Sequence, residues 1–510
     1  MPALEAVIEI GATGIRLLVV QLPDSDGSQW IILDKSELPI PLGRDVFTTG
    51  FISRDTMLQC LGILKRFKEQ LSTWQIHKNH ISIIATTALR SAKNRDAVLD
   101  RIMVKTGFRV KVIDGIEQNR LTYLAVSECF KNQSVHLEGI NSIILEIGGG
   151  ATDLMLIKQG QMAGVHTLGL GTVIIEQKLN AMGSLHDTRR FLKEFIYVTR
   201  KSLDIEMNFT NIQQFIALGT EAQIAADICG ESLSPKLKRI PRRQFNNLVS
   251  EIQDYSTEEC VARFKISHYD ANALHISLMA YELFLQFTQA ESILVPYTNA
   301  REGMILHLLH KPDVKLQKNF CTQITASAWN LAKKYKVDEN HAECVRFLSL
   351  KLFDTLKKEL GLNENTRILL ETAAILHDIG MFIRSENHHA HSFYIISNSD
   401  IFGLSREQID IIAQVAYSHR SSHSPQELPQ FQHQSRETRI TILKLTAILR
   451  VADAFDRGHF QQISDFTIDL HPETLIIRCN KNQDLTLERH ALQEKSNIFE
   501  AVFGYKVILG

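Results

Sequence analysis

The chain is poor in features that would mark it as secreted, membrane-bound or broadly charged. Its seven cysteines, at positions 60, 129, 229, 260, 321, 344 and 479, are odd in number and scattered, and none forms a Cys-x-x-Cys pair. That pattern fits a reduced, cytoplasmic chain rather than a disulfide framework. Net charge is nearly absent: 56 basic against 57 acidic residues leave −1. Such a balance argues against a broad nucleic-acid or membrane surface, while leaving room for a local basic channel. No apolar run approaches the ~18 residues of a membrane span. Glu5 and Glu9 interrupt any signal-peptide core near the start. Low-complexity linkers are also missing. What is left is a soluble globular composition, 44% hydrophobic and 22% charged over 510 residues. That length calls for several domains, since single cores rarely grow beyond ~250–300 residues. The 20 histidines are the one compositional oddity, and many follow residue 340.

Against this background one phrase occurs twice. Ile8-Glu9-Ile10-Gly11-Ala12-Thr13-Gly14 leads into an apolar run from Ile15 to Val20, and Leu145-Glu146-Ile147-Gly148-Gly149-Gly150 leads into Ala151-Thr152-Asp153-Leu154. Each copy reads as an apolar strand with one carboxylate, a small-residue turn and a second strand. Glycines bring backbone N–H groups close to a ligand. A carboxylate beside the turn suits a cation that bridges phosphate oxygens. Two copies facing each other make a cleft for a phosphate chain.

Between and after these phrases, strands and helices alternate as far as residue 312. Ile81–Ala85 reads as a buried strand, 109–113 as another, and Gly115 opens a helix. Phe215–Leu218 is a strand whose Gly219-Thr220 turn starts a helix, a further anion site. Helical periodicity spans 53–72, 171–182, 187–206 and 269–289, and Ser292–Val295 is a last strand. This is an α/β pattern. Residues 320–460 carry helical periodicity with almost no strand signal. Short apolar alternations return from about 464, at Phe466–Leu470 and Leu475–Arg478.

Several motifs add to the paired turns: Thr87-Ala88-Leu89-Arg90, Gly115-Ile116-Glu117-Gln118-Asn119-Arg120, Arg301-Glu302-Gly303, and late in the chain Ile375-Leu376-His377-Asp378-Ile379-Gly380. In this order the set resembles the exopolyphosphatase and guanosine-pentaphosphate phosphohydrolase family. The resemblance implies two actin-like (ribonuclease H-like) α/β domains over 1–130 and 131–312. An all-α HD-type domain over 313–462 and a small α+β domain over 463–510 would follow. It also implies release of terminal phosphate from inorganic polyphosphate or guanosine pentaphosphate, with Mg²⁺ in the cleft, in a cytoplasmic homodimer with no nucleic-acid or membrane partner. Phosphate contacts would fall to Gly11, Thr13, Arg90, Gly148, Gly149, Gly150, Gly219 and Thr220. Glu9 and Glu146 would hold the cation, with Glu146 counted among the catalytic groups.

The departures are specific. The family's first turn normally reads Asp-x-Gly-Ser-Asn-Ser and its second begins with Asp, whereas this chain has Glu9 and Glu146 there. The helix after Gly115 usually carries Glu-Glu-Ala-Arg, the second Glu acting as base. Here the matching residue is Gln118, and an amide cannot accept the proton that water loses. Glu117 is adjacent but points elsewhere on a helix; Glu117 or Gln118 is the residue expected to orient the water, and both are counted with Glu146 as catalytic candidates. Cleavage in the cleft is therefore expected to be weakened. The other reading is a sensor that binds polyphosphate or guanosine penta- or tetraphosphate, coupled to a metal-dependent HD phosphohydrolase or a dimerisation platform. His341, His377, Asp378 and Asp453 stand in HD order, and two imidazoles with two carboxylates suit a divalent transition metal. His388, His391 and His419 fall between them; His391 and His419 are the further ligands the resemblance implies.

Overall fold

The computed structural model describes residues 3–22, 30–131, 133, 135–182, 185–309, 314–420, 424–463, 466–479 and 484–510, without the side chains of 179–187 and 310–319. The chain divides into two compact units, Met1–Gln317 and Lys318–Gly510. The expected boundary at 312–313 lies outside the described residues.

The first unit contains two sheets built on one plan. In the first, β1 (Leu4–Ile10), β2 (Gly14–Gln21), β3 (Ile31–Pro39), β4 (Ile81–Ala85) and β5 (Lys111–Val112) lie in the order β3-β2-β1-β4-β5. β1 pairs antiparallel with β2 and parallel with β4. In the second, β6 (Ser142–Ile147), β7 (Thr152–Lys158), β8 (Gln161–Leu168), β9 (Gln214–Leu218) and β12 (Ser292–Pro296) repeat that order. An antiparallel pair, β10 (Glu231–Ser234) and β11 (Leu237–Pro241), extends its edge. Alternation along β1 explains why both faces of the first sheet are covered. Ala6, Ile8 and Ile10 pack with Leu64 and Phe67 from the helix Arg54–Thr73. Val7 turns the other way, onto Ile305 of the helix Ala300–Leu309.

That last helix and the helix Gly115–Phe130 pack closely because Gly303 has no side chain. A Cβ there would fall 1.9 Å from the Leu121 carbonyl oxygen. Asp114 caps the start of Gly115–Phe130, its Oδ1 accepting from Glu117 N at 2.8 Å. Gly115 lies against β8, where an added Cβ would sit 2.3 Å from Thr167 Oγ1. These two glycines bring Gln118 and Asn119 onto the second sheet.

Several sequence expectations shift in detail. The strand expected over 109–113 contracts to β5, Lys111–Val112. Between β4 and β5 lie a short helix, Thr87–Ser91, and then Arg95–Thr106. The long helix runs His268–Gln286.

The second unit is helical over 318–454, including Glu339–Leu356, Arg367–Leu376, His388–Ser397, Arg406–Tyr417 and Arg436–Ala454. It ends in β13 (Phe466–Leu470), β14 (Thr474–Cys479) and β15 (Lys506–Leu509), a three-stranded sheet accompanied by the helices Thr486–Lys495 and Asn497–Phe503. Its core is aliphatic with aromatic plugs such as Phe353, Phe402, Phe455 and Phe499.

Candidate functional site

The two glycine turns are congruent and face each other. Gly11 N donates to Gly14 O, and Gly148 N to Ala151 O, each at 2.9 Å. Below the turns, Glu9 pairs with Arg16 in one hairpin and Glu146 with Asp153 in the other, at the same register. A Cβ added at Gly149 would lie 2.5 Å from Thr13 Cγ2, and one at Gly150 would lie 2.3 Å from Phe47 Cζ. The turns therefore touch, and only glycine fits between them.

Charges of both signs gather under these turns. Glu9 lies 3.4 Å from Arg301 Nε and 4.0 Å from Arg16 Nη1. Arg16 also pairs with Glu37 at 2.8 Å and donates to Thr13 Oγ1 at 3.4 Å. Arg301 is buried, and its Nη1 has no partner. Arg90 donates to the Ile113 carbonyl at 2.7 Å and to Thr87 Oγ1 at 3.2 Å. Burial lowers its pKa, a shift that Asp153 and Asp114 oppose.

Asp153 is buried under three donors: Thr167 Oγ1 at 2.6 Å, Gln118 Nε2 at 2.9 Å and Asn119 Nδ2 at 3.5 Å. Burial pushes its carboxyl up to about 6 despite those bonds. Glu146 is pushed up to about 8, first by burial and then by Asp153 and Glu9, while Thr122 Oγ1 donates to it at 3.4 Å. Glu117 is taken by Arg120, at 2.7 and 2.9 Å, with Lys111 at 3.6 Å. These cations overcome its partial burial and hold it below the usual carboxylate range. Gly219 adopts φ +105° ahead of Thr220, and the next residue, Glu221, is buried and pushed up to about 7 by burial.

In the second unit, four imidazoles converge on two carboxylates. Each ring is tied at Nδ1: His341 to Asp456 Oδ2 at 2.8 Å, His377 to Ala374 O at 2.9 Å, His388 to Ser385 O at 2.8 Å and His419 to Ala416 O at 2.6 Å. A carbonyl accepts only from N–H, so for His377, His388 and His419 the tie places a proton on Nδ1 and turns Nε2 inward. His341 Nε2 lies 3.3 Å from His377 Nε2 and 3.6 Å from Asp453 Oδ1. His388 Nε2 lies 3.1 Å from both His419 Nε2 and Asp378 Oδ1. Lys495 bonds the other Asp453 oxygen, Oδ2. The His459 ring stacks on His341 at 3.7 Å. Burial pushes His377 down to about 4. For His341 burial acts the same way, but Asp453 and Asp456 outweigh it and push the ring up to about 10. Among the described residues, the ligand atoms of His341, His377 and Asp453, and those of Asp378, His388 and His419, form groups within 4.8 Å.

Residues 24–312 match the model of the Ppx/GppA phosphatase family, and residues 325–498 match that of Ppx/GppA phosphatase, domain III. The chain belongs to the Ppx/GppA phosphatase family. It is accordingly a hydrolase of phosphoanhydride bonds. A guanosine-5'-triphosphate,3'-diphosphate pyrophosphatase of Aeromonas hydrophila is 24% identical over 461 residues, covering 88% of this chain and 86% of its own. The protein of the same name from Photobacterium profundum is 22% identical over 93% of this chain and 91% of its own. Among solved structures, an exopolyphosphatase from Cytophaga hutchinsonii aligns with a TM-score of 0.52 at 20% identity, over 60% of this chain and 97% of that one. The Aquifex aeolicus Ppx/GppA family member aligns at 0.50 and 21% identity, over 61% and 99%. These likenesses give the first unit the actin-like fold.

Within this Ppx/GppA frame, the structure gathers Glu9, Thr13, Arg90, Gln118, Glu146 and the two turns, and turns Glu117 onto Arg120. The sequence motifs do not mark Asp153, which the structure places beside Gln118 and Glu146. Its signal is a lone carboxylate in an apolar strand, at the register position where the first hairpin has Arg16. Among the histidines, His388 rather than His391 joins Asp378 and His419. His391 instead packs over Gly380, where an added Cβ would meet its own Cβ at 2.8 Å.

Proposed function

We propose that the two-lobed unit releases terminal phosphate from inorganic polyphosphate or guanosine pentaphosphate, with Asp153 as the base. The observation that carries this is the cross-strand pair of Glu146 and buried Asp153 beside Gln118, directly under turns rich in N–H donors. The turns at Gly11 and Gly148–Gly150, with Thr13 and Arg90, hold phosphate oxygens, and Gly219-Thr220 lies farther along the chain of phosphates. Glu9 and Glu146 are the carboxylates that would hold Mg²⁺: Glu9 is among the charges that raise Glu146, and a cation there would relieve that repulsion. When bound, that ion neutralises phosphate charge. Asp153, aligned by Gln118, Thr167 and Asn119, removes a proton from water. The water oxygen bonds to the terminal phosphorus, and the anhydride P–O bond breaks. The amide at 118 supplies alignment without basicity, which weakens the step relative to a carboxylate there.

For the second unit the same reading assigns an HD-type domain with a divalent transition metal at His341, His377 and Asp453. It is favoured by imidazoles already aimed with Nε2 inward.

Phosphate release with Mg²⁺ tests the cleft, measured on long polyphosphate and on guanosine pentaphosphate. Asp153→Asn is expected to lower the rate by ~10²–10⁴-fold. Gln118→Glu is expected to raise it above neutral pH, where a second ionised carboxylate is present. An Asp153→Asn chain as fast as wild type removes the base assignment. If wild type and Gln118→Glu both bind polyphosphate and release nothing, the cleft is a sensor.

A further inference from the structure

We infer that Tyr281 is a positioning residue of the cleft: its hydroxyl fixes the spacing between the Gly148–Gly150 turn and the Gly219-Thr220 turn, and so sets how long a phosphate chain is held best. This rests on the reading that both turns hold phosphate, and adds to it the group that sets their separation.

The two turns leave neighbouring strands of one sheet. β6 and β9 pair in parallel from Ser142 opposite Gln214 to Glu146 opposite Leu218, the last pair of the ladder. Just beyond it the strands enter their turns, at Gly148 after Ile147 and at Gly219 after Leu218. The Tyr281 hydroxyl stands where the strands part. It accepts from Ile147 N at 3.2 Å and donates to the Leu218 carbonyl. A phenol oxygen both donates and accepts, so one atom makes both bonds. Burial raises the phenol well above its usual range, so the proton that Leu218 receives stays in place.

The ring that carries this oxygen is fixed. Tyr281 lies on the helix His268–Gln286, packed in the core around the second sheet. At 1% exposure its hydroxyl cannot touch substrate and acts only through the backbone of the two turns. Gly219 lies beside it: at φ +105° an added Cβ would stand 3.8 Å from the same oxygen. The other side of the first turn is held by Thr172 N, which donates to Gly148 O at 3.0 Å, and by Val173 N, which donates to Gly149 O at 2.9 Å. Tyr281 supplies the tie on the side of the second turn.

Such a tie reads length. A short chain depends on the N–H groups of Gly148–Gly150 alone. A longer chain meets both turns, and its second set of contacts forms only while the turns keep their distance. Without the hydroxyl, a buried N–H and a buried carbonyl lose their shared partner, and the turns shift to find others.

The test measures phosphate release with Mg²⁺ from tripolyphosphate and from long polyphosphate, for the full wild-type chain and for Tyr281→Phe, which keeps the ring in the core. The KM for long polyphosphate is expected to rise roughly tenfold more than that for tripolyphosphate, the scale of one lost hydrogen bond to a charged group. A role in stability alone lowers the thermal midpoint and leaves the ratio of the two KM values as in wild type; that result overturns the inference and leaves the cleft reading intact. A second measurement needs no variant. On the wild type, long polyphosphate is expected to slow amide exchange in peptides spanning 147–150 and 218–223, and tripolyphosphate in the first alone. Equal protection of both by tripolyphosphate, or of the first alone by the long chain, overturns the inference. If the wild type binds both chains in calorimetry and releases nothing, the hydrolytic reading fails. The same split in dissociation constants then supports the role of Tyr281, and equal shifts overturn it. Binding of neither chain overturns both.

Discussion

At the scale of single residues, two neighbouring carboxylates on the cleft side have opposite fates. Glu117 meets Arg120 and Lys111 and is held below the usual range, whereas Asp153 meets neutral donors in a buried strand and rises to about 6. A base acts deprotonated, so kcat/KM should fall as pH drops through about 6, and Asp153→Asn should remove that limb along with most of the rate. A pH profile of phosphate release checks this; a limb that survives in the variant belongs to another group. Glu117→Ala should behave differently. It leaves Arg120 buried beside His307 with its main acceptor gone, so the thermal midpoint should drop while the rate of the folded enzyme stays within a few-fold of wild type. Loss of rate without loss of stability would return the base to Glu117. The role of Asp153 was not legible locally, because it comes from groups distant in sequence: Glu146 across the hairpin, Gln118 from a helix and Thr167 from β8. His388 illustrates the same limit. Three histidines stand within one turn at 388, 389 and 391, and periodicity alone cannot say which faces Asp378.

At the scale of elements, the repeated hairpins were readable because their residues repeat: apolar alternation, one carboxylate, small residues at the turn. The observed register, Glu9 to Arg16 and Glu146 to Asp153, follows from turns of equal length. The pair β10 and β11 was not readable. Its sequence, Glu-Ser-Leu-Ser and Leu-Lys-Arg-Ile-Pro, is an edge with little alternation, and it exists by pairing with β12. The Arg301-Glu302-Gly303 motif gains a mechanical meaning from packing. Gly303→Ala must push the helix Ala300–Leu309 away from Gly115–Phe130, at a cost of ~1–3 kcal/mol. The variant should unfold at lower denaturant and release phosphate more slowly, since the same helices carry Arg301 and Gln118. Unchanged denaturant midpoints would mean that the two helices are free to separate.

At the scale of the whole molecule, one chain carries a Ppx/GppA phosphatase unit and, in a second compact unit, a cluster of imidazoles and carboxylates. Ligands that bind only the folded state stabilise it by about 2.7 kcal/mol at a hundred times their dissociation constant. Mn²⁺ added to a Glu9→Gln, Glu146→Gln chain should therefore slow hydrogen exchange in peptides around His341, His377 and His419 and leave those of β1 and β2 unchanged. Equal protection in both units would mean that they unfold as one. The Nδ1 ties in the helical unit have a further consequence, for heredity. Three of the four acceptors are backbone carbonyls, at Ala374, Ser385 and Ala416. A carbonyl persists whatever side chain occupies its position, so the exposed Ser385 is free to drift in sequence while still aiming its ring, whereas Ala374 and Ala416 are fully buried and held small by packing alone. Alanine scanning passes over them for the same reason, and only replacing the backbone itself would reveal that they are part of the centre.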